Sequence, residues 1–564
     1  MYKKKWFDGA LISYSELVFR NKNDNYPAII YQTENVNPVH VSWSELESFV
    51  INAVQLLKGL GFNKGDTAVA FSSNNIDTIV AFLAVNSLGG IWSSCSPDFG
   101  TESVVERFDQ IKPKILFANS SYVYGGKTFD IETKVNDLAS MIGSLTDTVF
   151  FEKTNWLNVK NNHTFEKLEF QKVDFNDPIW VLYSSGTTGK PKAIVHRTGG
   201  MVLEHLKALA LHQDVKKGER YCWYSTTGWM MWNYALSSLL TGATLCIYDG
   251  SVAYPDMNSL WQFAKAQKIN HLGAGAAFYQ SSKKANIEFT GINTDLKTIG
   301  STGSPLPEDV FYWLSEKNPG LPIISLSGGT DVCSAFIGGN TMLPVIAGEI
   351  QCRMLGAAVE AWSESGLPVT DELGELVITQ AMPSMPVFFW GDKSFEKYKG
   401  SYFDKYDGVW CHGDWIKITK DKGVIVFGRS DATLNRGGVR IGTSEIYNAV
   451  EALDFVKDSL IVCIENEKGE YFMPLFVKTD QDLLEEQKLL INANLRKLYS
   501  PRHVPDTIIK TPDIPYTISG KKMEMAIKKI FMGLPPNKAA TLDAMKNPES
   551  LDWYVGLYSK MKDN

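Results

Sequence analysis

The stretch WVLYSSGTTGKPKAIVHRTGG, residues 180–200, decides how this chain is read. A compact apolar run enters it. Ser184, Ser185, Gly186, Thr187, Thr188 and Gly189 follow, then Lys190, Pro191 and Lys192. Small hydroxyl and glycine residues beside lysines suit a phosphate, because backbone N–H groups can wrap the anion while hydroxyls and an ammonium add donors. The NTPase loop has the form GxxxxGK[ST] and opens a helix at its lysine. Here Lys190 is followed by Pro191, and the next residues, AIVH, favour a strand. The stretch therefore predicts a strand, a phosphate-holding loop and a second strand. A glycine-rich hairpin with exposed lysines is the plainer alternative, but this composition is far more specific than a bare glycine loop.

Outward from this point, strands and helices alternate. IWVLY (179–183) reads as a strand buried on both faces. MVLEHLKALALH (201–212) places Val202, Leu203, Leu206, Leu209 and Ala210 on one helical face. TLCIYDG (244–250) reads as a further strand ending in a turn. Such alternation predicts an α/β fold with mostly parallel sheets flanked by helices. At 564 residues the chain exceeds what one core normally holds. Charged, small and glycine residues crowd FGRSDATLNRGGVRIGTSEI (427–446), and DSLIVCI and MPLFV follow as separate apolar runs. We place a boundary at Arg429–Ala432, giving a large domain, 1–430, and a small mobile α+β domain, 431–564.

Composition narrows the function. The net charge is −7, a poor match to nucleic acid or an anionic membrane. The start, MYKKKWFDG, is basic but lacks the apolar segment of a signal peptide. The most compact apolar run, Ile79–Val85, is far short of the ~20 residues of a membrane span. Seven dispersed cysteines without a CxxC predict reduced, mostly buried thiols in the cytosol, and eight histidines form no metal-ligand pattern. HLGAGAAF (271–278) fails as a dinucleotide fingerprint and GSTG (300–303) as a nucleophile elbow.

YSSGTTGKPK resembles the signature of the adenylate-forming superfamily of acyl-CoA synthetases, luciferases and peptide-synthetase adenylation domains. Four further motifs follow in that family's order: GSTGSPL (300–306), SLSGGTD (325–331), HGDW (412–415) with GRSDATLNRGGVRIG (428–442), and TISGK (517–521). AIVHRTGGMVLEHLKALALH, YSTTGWMMWNYALSSLLTGATLCIYDG, MLPVIAGEIQCRMLG and NKAATLDAMKNPESL resemble the acetoacetate-activating CoA ligases more than the acetate or long-chain enzymes. Relatives of this kind usually carry an extra segment before WFDGALISYSE, which this chain nearly lacks.

The resemblance implies ATP, Mg²⁺ and coenzyme A, with acetoacetate joined to coenzyme A through an acyl-AMP. It assigns the loop from Ser184 to Lys192 to the β- and γ-phosphates, and Gly303, Ser304 and Pro305 to the adenine. Ser327, Gly328, Gly329 and Thr330 belong to the nucleotide-binding turn, with the Thr330 hydroxyl towards the α-phosphate. Asp331 is the expected magnesium ligand, standing where most relatives have glutamate. Asp414 and Arg429 are expected at the ribose, Arg440 at the phosphates, and Lys521 between the carboxylate and the α-phosphate. Asp431 is the expected hinge. Gly437, Gly438, Arg496 and, further off, Lys127 are expected on the coenzyme A side. Trp229 and Gly328 are assigned to the acyl pocket, the glycine leaving room for a four-carbon acid. A ligase for butyrate or 3-hydroxybutyrate, or a silent nucleotide-binding regulator, are the alternatives. No carrier protein, nucleic acid or membrane is expected as partner.

Overall fold

The computed structural model describes residues 1–154, 167–184, 191–287, 295–430, 434–436, 439–465, 471–518 and 520–562; for Asn435, Arg436, Val439, Arg440 and Glu465 it describes the backbone alone. The strands expected around the phosphate loop form. Pro178–Ser184 and Lys192–Arg197 run antiparallel, with Ser184 opposite Lys192. Their interiors are buried, as a continuous apolar run requires.

These two strands belong to a seven-stranded sheet in the order Phe388–Phe389, Lys192–Arg197, Pro178–Ser184, Ile91–Cys95, Thr67–Phe71, Ile115–Ala118, Asp147–Phe150. From Pro178–Ser184 onward the pairing is parallel. A second seven-stranded sheet runs Ile323–Ser325, Thr298–Thr302, His271–Gly275, Arg220–Trp223, Thr244–Asp249, Ile29–Thr33, Val39–Val41. All its pairs are parallel except the last. The apolar run Ile79–Val85 lies in the helix Ile76–Ser87, whose start is capped by the Asn75 side chain. It shares one core with Trp92 and Trp180 of the first sheet and Tyr221, Trp223 and Leu245 of the second. A helix apolar all round survives only when covered on all sides. This is the expected α/β architecture.

An antiparallel sheet follows, ordered Pro368–Val369, Val359–Trp362, Leu373–Ile378, Trp410–Ile418, Val424–Arg429. Beyond it, Asp458–Ile461, Pro474–Lys478 and Thr507–Lys510 form a three-stranded sheet. Two apolar clusters built only from residues after 433 cover this sheet. Between this region and the earlier one, Gly100 N–H donates to the Asp543 carbonyl at 3.3 Å, and Lys284 Nζ donates to the Lys457 carbonyl at 2.8 Å. Ile518 packs on the core of the first sheet.

One expected helix face needs correction. The helix begins at Thr198 and passes into π geometry from Lys207 to His212. Leu203 is 41% exposed, while Met201, Val202, His205, Ala208, Leu209 and His212 are buried. Two histidines take core positions because the fold supplies partners for both ring nitrogens of each. None of the seven cysteines is in a disulfide, and five of them are buried. Among the described residues no helix is long and apolar enough to cross a membrane.

Candidate active site

The site is built on strand ends and the turns that leave them. The strand Ser327–Gly329 turns back through Thr330, Asp331, Val332 and Cys333 into Ser334–Gly338. Beside this hairpin runs Trp410–Ile418, which carries His412 and Asp414. Asp414 pairs in register with Arg429 at the end of Val424–Arg429. Arg429 Nη1 donates to Asp414 Oδ1 at 3.3 Å and to the His412 carbonyl at 3.1 Å. Asp414 is buried beside the Arg429 guanidinium.

Asp331 is the electrostatic centre. Burial pushes its carboxyl up, but His412, the Tyr402 hydroxyl, Lys192 and Arg429 together outweigh burial and hold it below the usual carboxylate range. Tyr402 donates its hydroxyl to Asp331 Oδ1. Burial and the neighbouring Asp331 keep that phenol protonated. The Tyr402 ring stacks on Trp410 at 3.6 Å. Burial lowers the Lys192 ammonium, Asp331 opposes this and Arg429 reinforces it. His412 is lowered by burial against the pull of Asp414 and Asp331.

Lys521 reaches the same cleft from the far end of the chain. Its turn is closed by the Gly520 N–H donating to the Thr517 carbonyl at 2.8 Å, with Gly520 at φ +79°. The Lys521 side chain stays open to solvent, yet the cleft walls lower its pKa. Arg429 acts in the same direction, and Asp414 and Asp331 oppose. Lys192, Asp331, Asp414, Arg429 and Lys521, from four separate motifs, therefore share one electrostatic site.

The residues expected at the adenine lie at the carboxyl end of Thr298–Thr302. Gly303, at φ +92°, and Ser304 and Pro305 are exposed there. A Cβ on Gly303 would lie 3.9 Å from the Trp229 indole, so these two residues face each other. Ser184 is half-buried at the mouth of the loop. Lys127 is exposed on a two-strand hairpin, Ser121–Tyr124 with Lys127–Asp130. Arg496 is exposed in the last turn of the helix Glu485–Leu498. Neither is drawn into the Asp331–Asp414 cluster by a recorded contact. Ser185, Gly186, Thr187, Thr188, Gly189, Asp431, Gly437 and Gly438 lie outside the described residues. Arg440 is described by its backbone, on a strand paired with Leu434–Arg436.

Residues 18–385 match the family profile described as AMP-binding enzyme. The chain belongs to the AMP-binding enzyme family. Over 99% of its length it is 41% identical to the acetoacetyl-coenzyme A synthetase of Rhizobium meliloti (strain 1021), covering 88% of that protein. The chicken (Gallus gallus) acetoacetyl-CoA synthetase is 39% identical over 98% of this chain and 86% of its own length. The acetoacetyl-CoA synthetase structure from Streptomyces lividans superposes with a TM-score of 0.93 at 40% identity, over 100% of this chain and 88% of that one.

Within this AMP-binding frame, Gly328 is packed tightly against the partner strand. A Cβ there would stand 2.1 Å from the Ser334 carbonyl oxygen and 2.4 Å from Ala335 Cα. The partner strand, at a bulge in the hairpin, leaves no room for a side chain there. Two site residues were not assigned from the sequence. Tyr402, in EKYKGSY, belongs to none of the family motifs. His412 was visible in HGDW, but its ring role needed the neighbouring strand.

Proposed function

We propose that this chain is an AMP-forming acetoacetate–CoA ligase of the cytosol. The observation that carries the reading is the convergence of Asp331, Asp414, Arg429, Lys192 and Lys521 on one cleft. The similarity to acetoacetyl-CoA synthetases along nearly the whole chain supports the choice of acid.

In the first half-reaction a carboxylate oxygen attacks the α-phosphorus of ATP. The bond to the β-phosphate oxygen breaks, and pyrophosphate leaves. Both reactants are anions, so positioning and charge neutralisation dominate. The Ser184–Lys192 loop holds the β- and γ-phosphates, and Gly303, Ser304 and Pro305 flank the adenine. Asp414 accepts from the ribose hydroxyls with Arg429 beside it. Thr330 and Arg440 address phosphate oxygens. Lys521 bridges the attacking carboxylate and the α-phosphate. Trp229 walls the acyl site.

Mg²⁺ fits Asp331. Its carboxylate is held ionised, and Tyr402 engages Oδ1. Asp331 would supply one carboxylate to a metal that enters with the phosphates. When bound, the metal neutralises charge on the phosphate oxygens.

In the second half-reaction the thiol of coenzyme A attacks the acyl carbonyl, a C–S bond forms, and AMP departs. We assign residues 1–430 to a nucleotide- and acid-binding domain and 431–564 to a mobile one that turns about Asp431. Rotation withdraws Lys521 and brings Gly437 and Gly438 to the thiol channel, with Arg496 and Lys127 at the coenzyme A phosphates.

The experiment is pyrophosphate release across C2–C6 acids, with and without coenzyme A. Acetoacetate is expected to give the highest kcat/KM, with thioester only when coenzyme A is present. Preference for butyrate or 3-hydroxybutyrate would reassign the acid, and no turnover with any acid would overturn the ligase reading.

A further inference from the structure

Three buried histidines converge on the hairpin that carries Thr330 and Asp331. His196 lies on the strand Lys192–Arg197, and His205 and His212 lie on the helical segment that follows. Each is at most 1% exposed. His196 Nε2 is 3.2 Å from the Asp331 carbonyl oxygen, His205 Nε2 2.7 Å from that of Cys333, and His212 Nδ1 3.0 Å from that of Gly339. A carbonyl only accepts, so each contact fixes which nitrogen bears the proton.

The opposite nitrogens of His205 and His212 have partners as well, whereas His196 Nδ1 is buried without one. His212 Nε2 accepts from the Leu355 N–H at 3.1 Å. His205 Nδ1 lies 2.5 Å from Ser237 Oγ, and Ser237 Oγ lies 2.8 Å from the Tyr14 hydroxyl. Tyr14 O–H can donate to Ser237, and His205 Nε2–H donates to the Cys333 carbonyl; the single Ser237 proton is shared between His205 Nδ1 and the Asn233 carbonyl, 2.9 Å from Ser237 Oγ. Burial pushes His196 and His205 down to about 4, so both rings are neutral.

The hairpin has reason to need outside support. Cys333 has φ +49°, a conformation non-glycine residues avoid. The turn's own bonds are long, Val332 N–H to the Gly329 carbonyl at 3.3 Å and Cys333 N–H to the Thr330 carbonyl at 3.2 Å. We propose that His196 and His205 are positioning residues that hold the Thr330–Asp331 turn against the nucleotide site through the Asp331 and Cys333 carbonyls, while His212 fixes the chain just beyond the hairpin at Gly339. His205 is the centre of this frame, backed by Ser237 and Tyr14. The proposal rests on the adenylating function stated above.

The test compares His205→Leu with His205→Gln in the full chain. Leucine keeps volume and loses the donor; a glutamine amide can place an N–H near the position of Nε2. Four quantities are read: Mg·ATP affinity by calorimetric titration, pyrophosphate release, thioester formation from supplied acetoacetyl-adenylate, and Tm. His205→Leu is expected to weaken Mg·ATP binding and pyrophosphate release about 10–100-fold, the range for groups that orient a ligand-holding residue from behind. Thioester formation is expected to change far less, and His205→Gln to recover most of the loss. Equal loss of both half-reactions in His205→Leu, or a His205→Gln protein with wild-type Tm and unrecovered Mg·ATP affinity, would overturn the proposal. If the wild type binds Mg·ATP but activates no acid, the ligase reading fails, while the affinity comparison still decides the frame.

Discussion

Lys521 and Lys522 are neighbours whose ammonium groups serve opposite environments. Lys522 pairs with Glu451, lies 2.9 Å from Asp458 Oδ1 and sits 3.9 Å from the centre of the Tyr447 ring. Burial alone would lower its pKa, but Glu451, Tyr516 and Asp458 raise it. Lys521 faces the cleft, where its pKa is lowered. One lysine holds the C-terminal region together, and the other is poised over the candidate site.

The two variants therefore separate. Lys521→Ala is expected to leave Tm nearly unchanged and to slow pyrophosphate release about 10²–10³-fold, as for loss of one charge-stabilising group. Thioester formation from supplied acetoacetyl-adenylate is expected to survive. Lys522→Ala strands Glu451 and Asp458 without their cation, a loss of about 3 kcal/mol. Denaturant titration and the two half-reaction assays check this; a stable Lys522→Ala or an unstable Lys521→Ala would reverse the assignment.

Gly328→Ala tests the hairpin. Its new methyl meets the Ser334 carbonyl and Ala335 Cα, both main-chain atoms that cannot swing away. The strands must part, at about 1–3 kcal/mol. Reduced Tm and weakened ATP binding are expected, with the acetoacetate-to-acetate ratio of kcat/KM unchanged. A stable, ATP-binding variant that shifts towards acetate would place Gly328 at the acyl pocket.

What the sequence disclosed depended on whether a signal was local. Pro178–Ser184 and Lys192–Arg197 were legible because an apolar run and Pro191 bracket a loop. Asp331, Asp414 and Lys521 were legible through short motifs, although nothing local says they meet. Tyr402 was not, because it becomes a partner of Asp331 only when the helix Glu396–Tyr402 packs beside Trp410. Leu203 was counted on the apolar face and His205 was not, because periodicity counts apolar residues, whereas the core accepted a histidine with both nitrogens paired. Gly328 was read as empty space, and only the register with Ser334 and Ala335 reveals what fills it.

The neutral ring of His205 makes stability depend on pH. Its folded pKa is about 4, against 6.5 for an unconstrained histidine. Glu204 and Lys207, the charged groups acting on it, pull in opposite directions. The contribution is complete above pH 6.5. Below that the unfolded chain takes up a proton that the folded ring refuses, and stability falls until about pH 4. At pH 5 the loss is about 2 kcal/mol. Urea titrations at pH 7.5 and pH 5 are expected to show His205→Gln losing about 2 kcal/mol less than the wild type over that interval. An identical loss in both would mean that His205 titrates normally in the folded protein.

Tyr402→Phe isolates the second oxygen of the Asp331 carboxylate. The ring and its stack on Trp410 remain, so the fold is expected to lose only about 1 kcal/mol, the net worth of one hydrogen bond. The hydroxyl that engages Oδ1 is lost, and with it one of the influences keeping the carboxyl low. Without that donor the short aspartate side chain can rotate between Lys192 and His412. If Asp331 holds the metal that enters with ATP, the Mg²⁺ concentration for half-maximal pyrophosphate release is expected to rise about ten-fold, the lower range for removing a group that orients a metal ligand. Saturating Mg²⁺ should restore most of kcat, because the ligand is displaced and not removed. Asp331→Asn supplies the limit, with activity that Mg²⁺ does not restore. If Tyr402→Phe lowers kcat at every Mg²⁺ concentration and leaves the half-maximal point in place, the hydroxyl acts on the nucleotide or the acid, not through Asp331.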